Sequence, residues 1–390
     1  MASSRQSQAD RLRATGAWLA ERSGALPVWN AIFARKMPVG VGIWYSFGFS
    51  LIFCFTLQAV TGIFLAVYYV PTPDYAYASI QYIMLEVPFG AVVRGLHHWG
   101  ASAMVVLTFI HMAVAFVYGA YKFPRELTWM VGVVLLVLVL AFGFTGYLLP
   151  WDEKAYWATQ VGTAIPGTLP VLGDIAVRVM RGGTELGALT LSRFFSFHVL
   201  LLPALLGGLV LVHLFLVVYH GVSAPPHIWE RGIPLPKRFF DTKSVPAPSF
   251  SRGQEYHDRY AELKKDGKTF WPYNTFEDML LAVLALFAIY GMFMLFGVPL
   301  EAKADPTNTA YIPRPDWYFL FLFELLKYFP GSLEWVGAGV LPPLALFALL
   351  FLPLYDRSPW RSIRRRPLAL ILGILAVVVI AFLTYQGAIS

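Results

Sequence analysis

The sequence predicts an all-α integral membrane protein with seven transmembrane helices: four in one bundle, then three more beyond a polar stretch, with interfacial helices added. Three observations predict it. The 390 residues are 57% hydrophobic and 14% charged, with a mean hydropathy of +0.60, against roughly 45–50% apolar and about 25% charged in soluble domains. Seven uncharged apolar runs are each long enough to cross a hydrocarbon core of about 30 Å. Lys and Arg concentrate in alternate loops between those runs.

Residues 1–40 come first. They carry Arg5, Arg11, Arg13, Arg22, Arg35 and Lys36 around Leu12, Trp18, Leu19, Leu26 and Trp29. No long apolar core is present, so this is an amphipathic segment on the cytoplasmic face and not a cleavable signal peptide. The spans follow at 43–70, 96–121, 129–149 and 194–219, within a first domain of residues 41–220. Residues 221–278, rich in Pro, Lys and Asp, form a cytoplasmic linker. Residues 279–390 hold the last three spans, at 279–298, 336–354 and 367–386. The apolar stretch 317–329 is only 13 residues long and contains Glu324 and Lys327, which makes it an interfacial or re-entrant helix.

Of the 30 Lys and Arg, 22 fall in the N-terminal segment and its alternate loops and 8 on the other side, none of them inside an apolar run. The N-terminus is therefore expected in the cytoplasm and the C-terminus outside. The formal charge of +7 reflects those loops and not nucleic-acid binding. The single cysteine, Cys54, excludes an internal disulfide, a four-cysteine metal site and c-type haem attachment through two cysteines. Metal chemistry has to come from histidine.

Four of the eight histidines lie in spans: His97 and His111 on the second, His198 and His213 on the fourth. Fourteen residues advance a helix by about 21 Å and turn it about 40°; fifteen give about 22 Å and 60°. Each span thus offers two imidazoles on one face at two depths. Both spans run inward, so the pairs His97/His198 and His111/His213 form two stacked sites. His98, 13 residues from His111, is rotated about 140° away and faces elsewhere. A lone membrane histidine is ordinarily a helix-packing or proton-relay group, and two matched pairs need another reason. Gly48 and Gly62 on the first span, and Gly132 and Gly146 on the third, are also 14 apart. They would admit a flat macrocycle at the same two depths. The set points to two b-type haems. With both axial positions filled by histidine they carry electrons and bind no substrate.

The chain resembles the cytochrome b family of cytochrome bc1 and b6f complexes, from about Val39 to Gly387. Beside the histidine and glycine pairs it has Gln58 and Thr61, then Thr145-Gly146-Tyr147 with Leu149-Pro150-Trp151, and Arg193 ahead of His198. The first half is most similar to cytochrome b6, including Pro124 to Trp129 and the 15-residue spacing of His198 and His213. The second half is similar to subunit IV of b6f complexes. Pro315-Asp316-Trp317-Tyr318 stands where the family has Pro-Glu-Trp-Tyr.

The resemblance implies a quinol pocket on the external side in which Asp316 accepts a quinol proton, flanked by Pro315 and Trp317, with Tyr318 or Tyr156 as hydrogen-bonding partner. Without the haem pattern, Pro315-Asp316 would read as a helix start with a capping acid. Arg94 and Arg193 match arginines near the outer haem's propionates. The family's arginine beside the inner haem is replaced by Val114, leaving Lys122 and Arg125 as candidates there. Asp278 and His220 are candidates for a cytoplasmic quinone site. Ser46 stands where cytochrome b6 has the cysteine that holds an extra haem, so no covalent third haem is expected. The implied activity is oxidation of quinol outside and reduction of quinone at the cytoplasmic side, with electrons passing through both haems and a proton gradient as product. The implied partners are a Rieske iron–sulfur protein, a cytochrome c-type subunit, membrane quinones and lipids, and a second copy of the complex. A bacterial inner membrane is the implied location. Two other readings compete: a di-haem anchor for another quinone-linked dehydrogenase, which leaves the Pro315 motif without a role, and a non-redox proton-coupled transporter.

Overall fold

The computed structural model describes residues 2–234, 245 and 248–390. The rest of the linker (235–244 and 246–247) and the side chains of 2–9, 12 and 25, Arg5 and Leu12 among them, lie outside the described residues. Seven helices are long and apolar enough to cross a membrane: Phe47–Tyr68, Gly90–Val117, Glu126–Tyr147, Ala188–His220, Phe270–Phe296, Gly331–Leu350 and Pro367–Ile389. Among the described residues there is no strand, only the isolated bridges Lys36 to Thr269 and Asp152 to Lys303.

The helices outrun the apolar runs. The second begins at Gly90 and so includes Arg94; the fourth begins at Ala188 and includes Arg193; the fifth includes Glu277 and Asp278. Basic side chains are therefore not confined to loops. Backbone hydrogen bonding continues helices past the hydrocarbon, where charged side chains meet water or other polar groups.

The N-terminal segment is two helices, Ala2–Ser23 and Ala25–Ile32, broken at Gly24 with φ 64°. Trp18, Leu19, Leu26 and Trp29 are exposed. The face that bears this segment is here the near face, and the opposite one the far face.

The first and second spans pack along one another, as do the third and fourth. The fifth lies on the first two, the sixth on the third, and the seventh on the short helix Leu320–Lys327. Cys54, Met104, Val139, Leu206, Ile289 and Tyr318 form one buried cluster. It takes a residue from each of the first five spans and one from the loop beyond them, so the bundle closes about its centre.

Polar contacts tie the two halves at both faces. On the far face Lys154 pairs with Asp316 at 2.5 Å. On the near face Asp356 pairs with Lys122 at 2.8 Å and Arg366 at 3.4 Å and accepts from Tyr121, while Arg365 meets Glu230 at 3.1 Å. Buried ion pairs carry a desolvation penalty, so they hold best with further hydrogen bonds. Arg366 also donates to the Phe116, Val117 and Arg361 carbonyls.

Candidate functional site

The four span histidines meet in two tiers. His97 and His198 have ring centroids 6.1 Å apart and planes at 70°; His111 and His213 are 6.4 Å apart, also at 70°. A metal ion with bonds of about 2 Å to one nitrogen of each ring, itself about 1.1 Å from its ring centre, would hold the centroids about 6.2 Å apart. Both pairs have that spacing. His98 instead packs edge-on to Trp99 at 5.1 Å.

The histidines of the fourth span are 15 positions apart where those of the second are 14 apart, and the helix absorbs the difference. Pro203 has no N–H to give the Val199 carbonyl, and the helix widens to a π turn over Phe197–Leu201. One residue is thereby inserted at His198 itself, which returns it to the depth and face of His97.

Each glycine lies against the histidine of its own tier. A Cβ at Gly62 would sit 3.1 Å from His97 Cε1, at Gly146 2.7 Å from His198 Cε1, at Gly48 3.3 Å from His111 Cε1, and at Gly132 3.5 Å from His213 Cε1. The threonines before the far-tier glycines fix a tautomer. Thr61 Oγ1 is 2.9 Å from His97 Nδ1 and gives its own proton to the Leu57 carbonyl at 2.6 Å. Thr145 Oγ1 is 3.0 Å from His198 Nδ1 and donates to Ala141 at 2.9 Å. With the hydroxyl protons committed, the ring Nδ1–H groups are the donors, and each Nε2 keeps a free lone pair for a metal. The near tier has Phe47 and Val131 at the matching positions, which offer no hydroxyl.

The near tier opens into a cavity of about 330 Å³. Its lining includes His111, His213, Gly48, Gly132, Val114, Ser46, Asp278, Arg35 and Arg125. Paired imidazoles, glycine walls and a cavity of this size fit a flat tetrapyrrole held by two histidines, and Asp278 gives the same cavity a polar end. His220 is not among the lining residues; its carbonyl accepts from Arg125 at 3.3 Å.

The arginines and Lys122 have the following partners. Arg94, buried, donates to Met84 Sδ at 2.9 Å and to the Pro299 carbonyl at 2.9 Å. Arg193 donates to the Arg178 and Val179 carbonyls. Lys122 is committed to Asp356 and the Ser358 carbonyl. Arg125, 4% exposed, bonds the carbonyls of His220, Gly221 and Val222 but leaves Nη1 buried without a partner.

On the far face Asp316 precedes the single turn Trp317–Phe319 at the N-cap position, yet its side chain makes no capping bond. One carboxylate oxygen takes Lys154 Nζ at 2.5 Å and the other accepts the Tyr318 hydroxyl at 3.1 Å. A capping role therefore does not account for this acid. Burial, with the Asp316 charge beside it, holds the Tyr318 hydroxyl well above the usual tyrosine range, so it remains a donor. Trp317 Nε1 donates to Ser102 at 3.3 Å, Pro315 is half-buried, and Tyr156 packs edge-on to Trp151 and Trp157.

Sequence reasoning missed the roles of Thr61, Thr145 and Lys154. The threonines had a signal, since each precedes by one residue a glycine picked out by spacing. Lys154 had none, because its partner is 162 positions away.

Residues 32–221 match the family model described as Cytochrome b/b6/petB, and residues 303–390 the one described as Cytochrome b(C-terminal)/b6/petD. The chain is 37% identical over 382 residues to a cytochrome bc complex cytochrome b subunit of Chlorobaculum thiosulfatiphilum, covering 96% of this chain and 80% of that one. It is 35% identical to cytochrome b of Allochromatium vinosum, covering 89% and 81%. It is 43% identical to cytochrome b6 of Cyanidium caldarium, covering 53% and 97%. Among solved structures, a chain of a hyperthermophilic respiratory Complex III superposes with a TM-score of 0.78 at 30% identity, covering 95% of this chain and 91% of the other.

Proposed function

This chain belongs to the cytochrome b/b6 family and joins that family's two modules in one polypeptide, and from that premise we propose that it is the core of a proton-translocating quinol:cytochrome c or plastocyanin-type oxidoreductase. It is a multi-pass membrane protein and the cytochrome b subunit of a bc/b6f-type complex. The observation that carries the finer reading is the meeting of four imidazoles in two pairs at a metal-bridging separation.

In this reading His97 and His198 hold the outer haem and His111 and His213 the inner one. When bound, the haems supply one-electron carriers at two depths. Thr61 and Thr145 keep the outer imidazoles in the metal-binding tautomer, and the glycines let the flanking helices approach. Arg94 and Arg193 lie at the outer end, where haem propionates need cations. At the inner tier Arg125, with one free donor, is favoured over Lys122, whose ammonium is already paired.

Quinol binds on the external side, against the loop after the third span and the Pro315 motif. Asp316 takes its proton there, and Tyr318 orients that carboxylate. Quinone is reduced on the cytoplasmic side, in the cavity where Asp278 can supply a proton. The chain itself offers no high-potential acceptor in this scheme, so a Rieske protein and a c-type cytochrome complete it, within a dimeric complex of a bacterial inner membrane. The N-terminus is cytoplasmic.

A reduced-minus-oxidised spectrum of the purified chain, titrated with potential, tests the haem assignment: two b-type components are expected, and no α-band ends it. Asp316→Asn tests the quinol site. Turnover should fall by about 10²-fold or more with both haems retained, whereas unchanged turnover would leave only the anchor reading.

A further inference from the structure

Both oxygens of the Asp316 carboxylate are already engaged, by Lys154 at 2.5 Å and Tyr318 at 3.1 Å. Each oxygen keeps a second lone pair for a quinol hydroxyl, but once the quinol proton is on the acid the charge that holds these partners is gone, and one of them has to give way. Tyr318 is 6% exposed and wedged against the third span, where a Cβ on Gly143 would lie 2.8 Å from its ring. It has nowhere to go. Lys154 is one-third exposed, with a flexible four-carbon stem, so its ammonium can swing into water. The only ion pair Asp316 makes among the described residues is with Lys154.

The position of Lys154 is a second indication. It stands in the first turn of the helix Glu153–Ala164, where the helix dipole disfavours a cation. Its neighbours fix that turn: Asp152 caps it through the Ala155 N–H at 2.8 Å, and Glu153 accepts from Trp157 and Asn308. A residue that breaks a local rule and makes one long-range contact is explained by that contact. Asp316 is also one methylene shorter than the family's glutamate, and a lysine reaching from the other lobe brings a charge to it.

Resting on the quinol site proposed above, we propose that Lys154 is a positioning residue for quinol oxidation, holding the Asp316 side chain in place as the proton acceptor and releasing it when quinol arrives. The bond broken is one of the quinol's two O–H bonds and the bond formed is O–H on Asp316; the other quinol proton leaves to water on the external side, and the two electrons leave to the Rieske partner and to the outer haem. Protonation removes the charge that held Lys154. Its return favours loss of that proton to water on the external side, which resets the acceptor.

The test is quinol-dependent cytochrome c reduction by the assembled complex in native membranes, with haem content as the folding control. Lys154→Met is expected to lower kcat about tenfold while KM stays within about twofold, and Lys154→Arg to keep at least about half of the wild-type kcat. In an Asp316→Asn background Lys154→Met should cost nothing further. If Lys154→Met does not assemble, Lys154→Gln is read the same way. Wild-type kcat in the uncharged variant, a loss confined to KM, or an equal loss in both backgrounds would overturn the proposal. Full turnover in Asp316→Asn alone would remove the quinol site itself, a separate result from failure of the lysine's role.

Discussion

The glycine cradles make a graded prediction within one molecule. Alanine at Gly146 would place Cβ 2.7 Å from His198 Cε1, and alanine at Gly132 would place it 3.5 Å from His213 Cε1. Ordinary contact begins near 3.4 Å, so the first substitution must push the ring by about 0.7 Å and the second by nothing. A metal–imidazole bond tolerates about 0.2 Å. The His198 ring cannot yield freely, since Thr145 holds its Nδ1 at 3.0 Å. Helix propensity favours alanine at both sites by about 1 kcal/mol, so lost backbone stability cannot mimic the effect. The assay is haem content per chain with a potentiometric titration of the α-band. Gly146→Ala should lose or severely shift the outer component and retain the inner, and Gly132→Ala should keep both. Gly62→Ala at 3.1 Å and Gly48→Ala at 3.3 Å should fall between, in that order. Equal haem retention in Gly146→Ala and Gly132→Ala would refute the reasoning.

Two further outcomes follow from hydrogen bonds in the same region. Thr145→Val, nearly isosteric, removes the acceptor for His198 Nδ1–H and should weaken outer-haem retention about 10- to 100-fold, measured as haem loss to a competing apo-protein, with the inner haem unaffected. Arg125→Met removes the free donor in the near cavity and should lower the inner-haem midpoint potential by on the order of 60 mV, a tenfold shift in a one-electron equilibrium. An unchanged midpoint would assign those propionates another partner, and Val114→Arg in the same background should restore it.

The fold was legible because a bilayer imposes a length and a polarity on every span, and both are local properties of the chain. Helix ends were less legible: the apolar run stops where the hydrocarbon stops, but the backbone ladder continues, which is how Arg94 and Arg193 came to lie inside helices. The histidine tiers were legible through spacing alone, with one residue of error that only the π turn at Phe197–Leu201 explains. Pro203, five residues beyond His198, is the sequence mark of that turn. Contacts between the halves were illegible in principle, since no local pattern links Lys154 to Asp316 or Lys122 to Asp356.

Those long-range pairs bear on why the two halves work as one. The far-face pair joins the lobe after the third span to the loop before the sixth, and the Asp356 cluster joins the second-to-third connection to the sixth-to-seventh. The Asp356 cluster is not a simple surface bridge of the kind worth about 0–1 kcal/mol, because Lys122 and Arg366 have side chains 9% and 2% exposed and further hydrogen bonds. The far-face pair is different, with Lys154 one-third exposed and held by Asp316 alone among the described residues. The near-face pairs are thus locked by further bonds, and the far-face ion pair can part at low cost while other contacts keep that face joined. In the scheme proposed above, an acceptor that must meet a membrane-borne substrate and then water needs a partner that parts cheaply, and Lys154 is such a partner for Asp316.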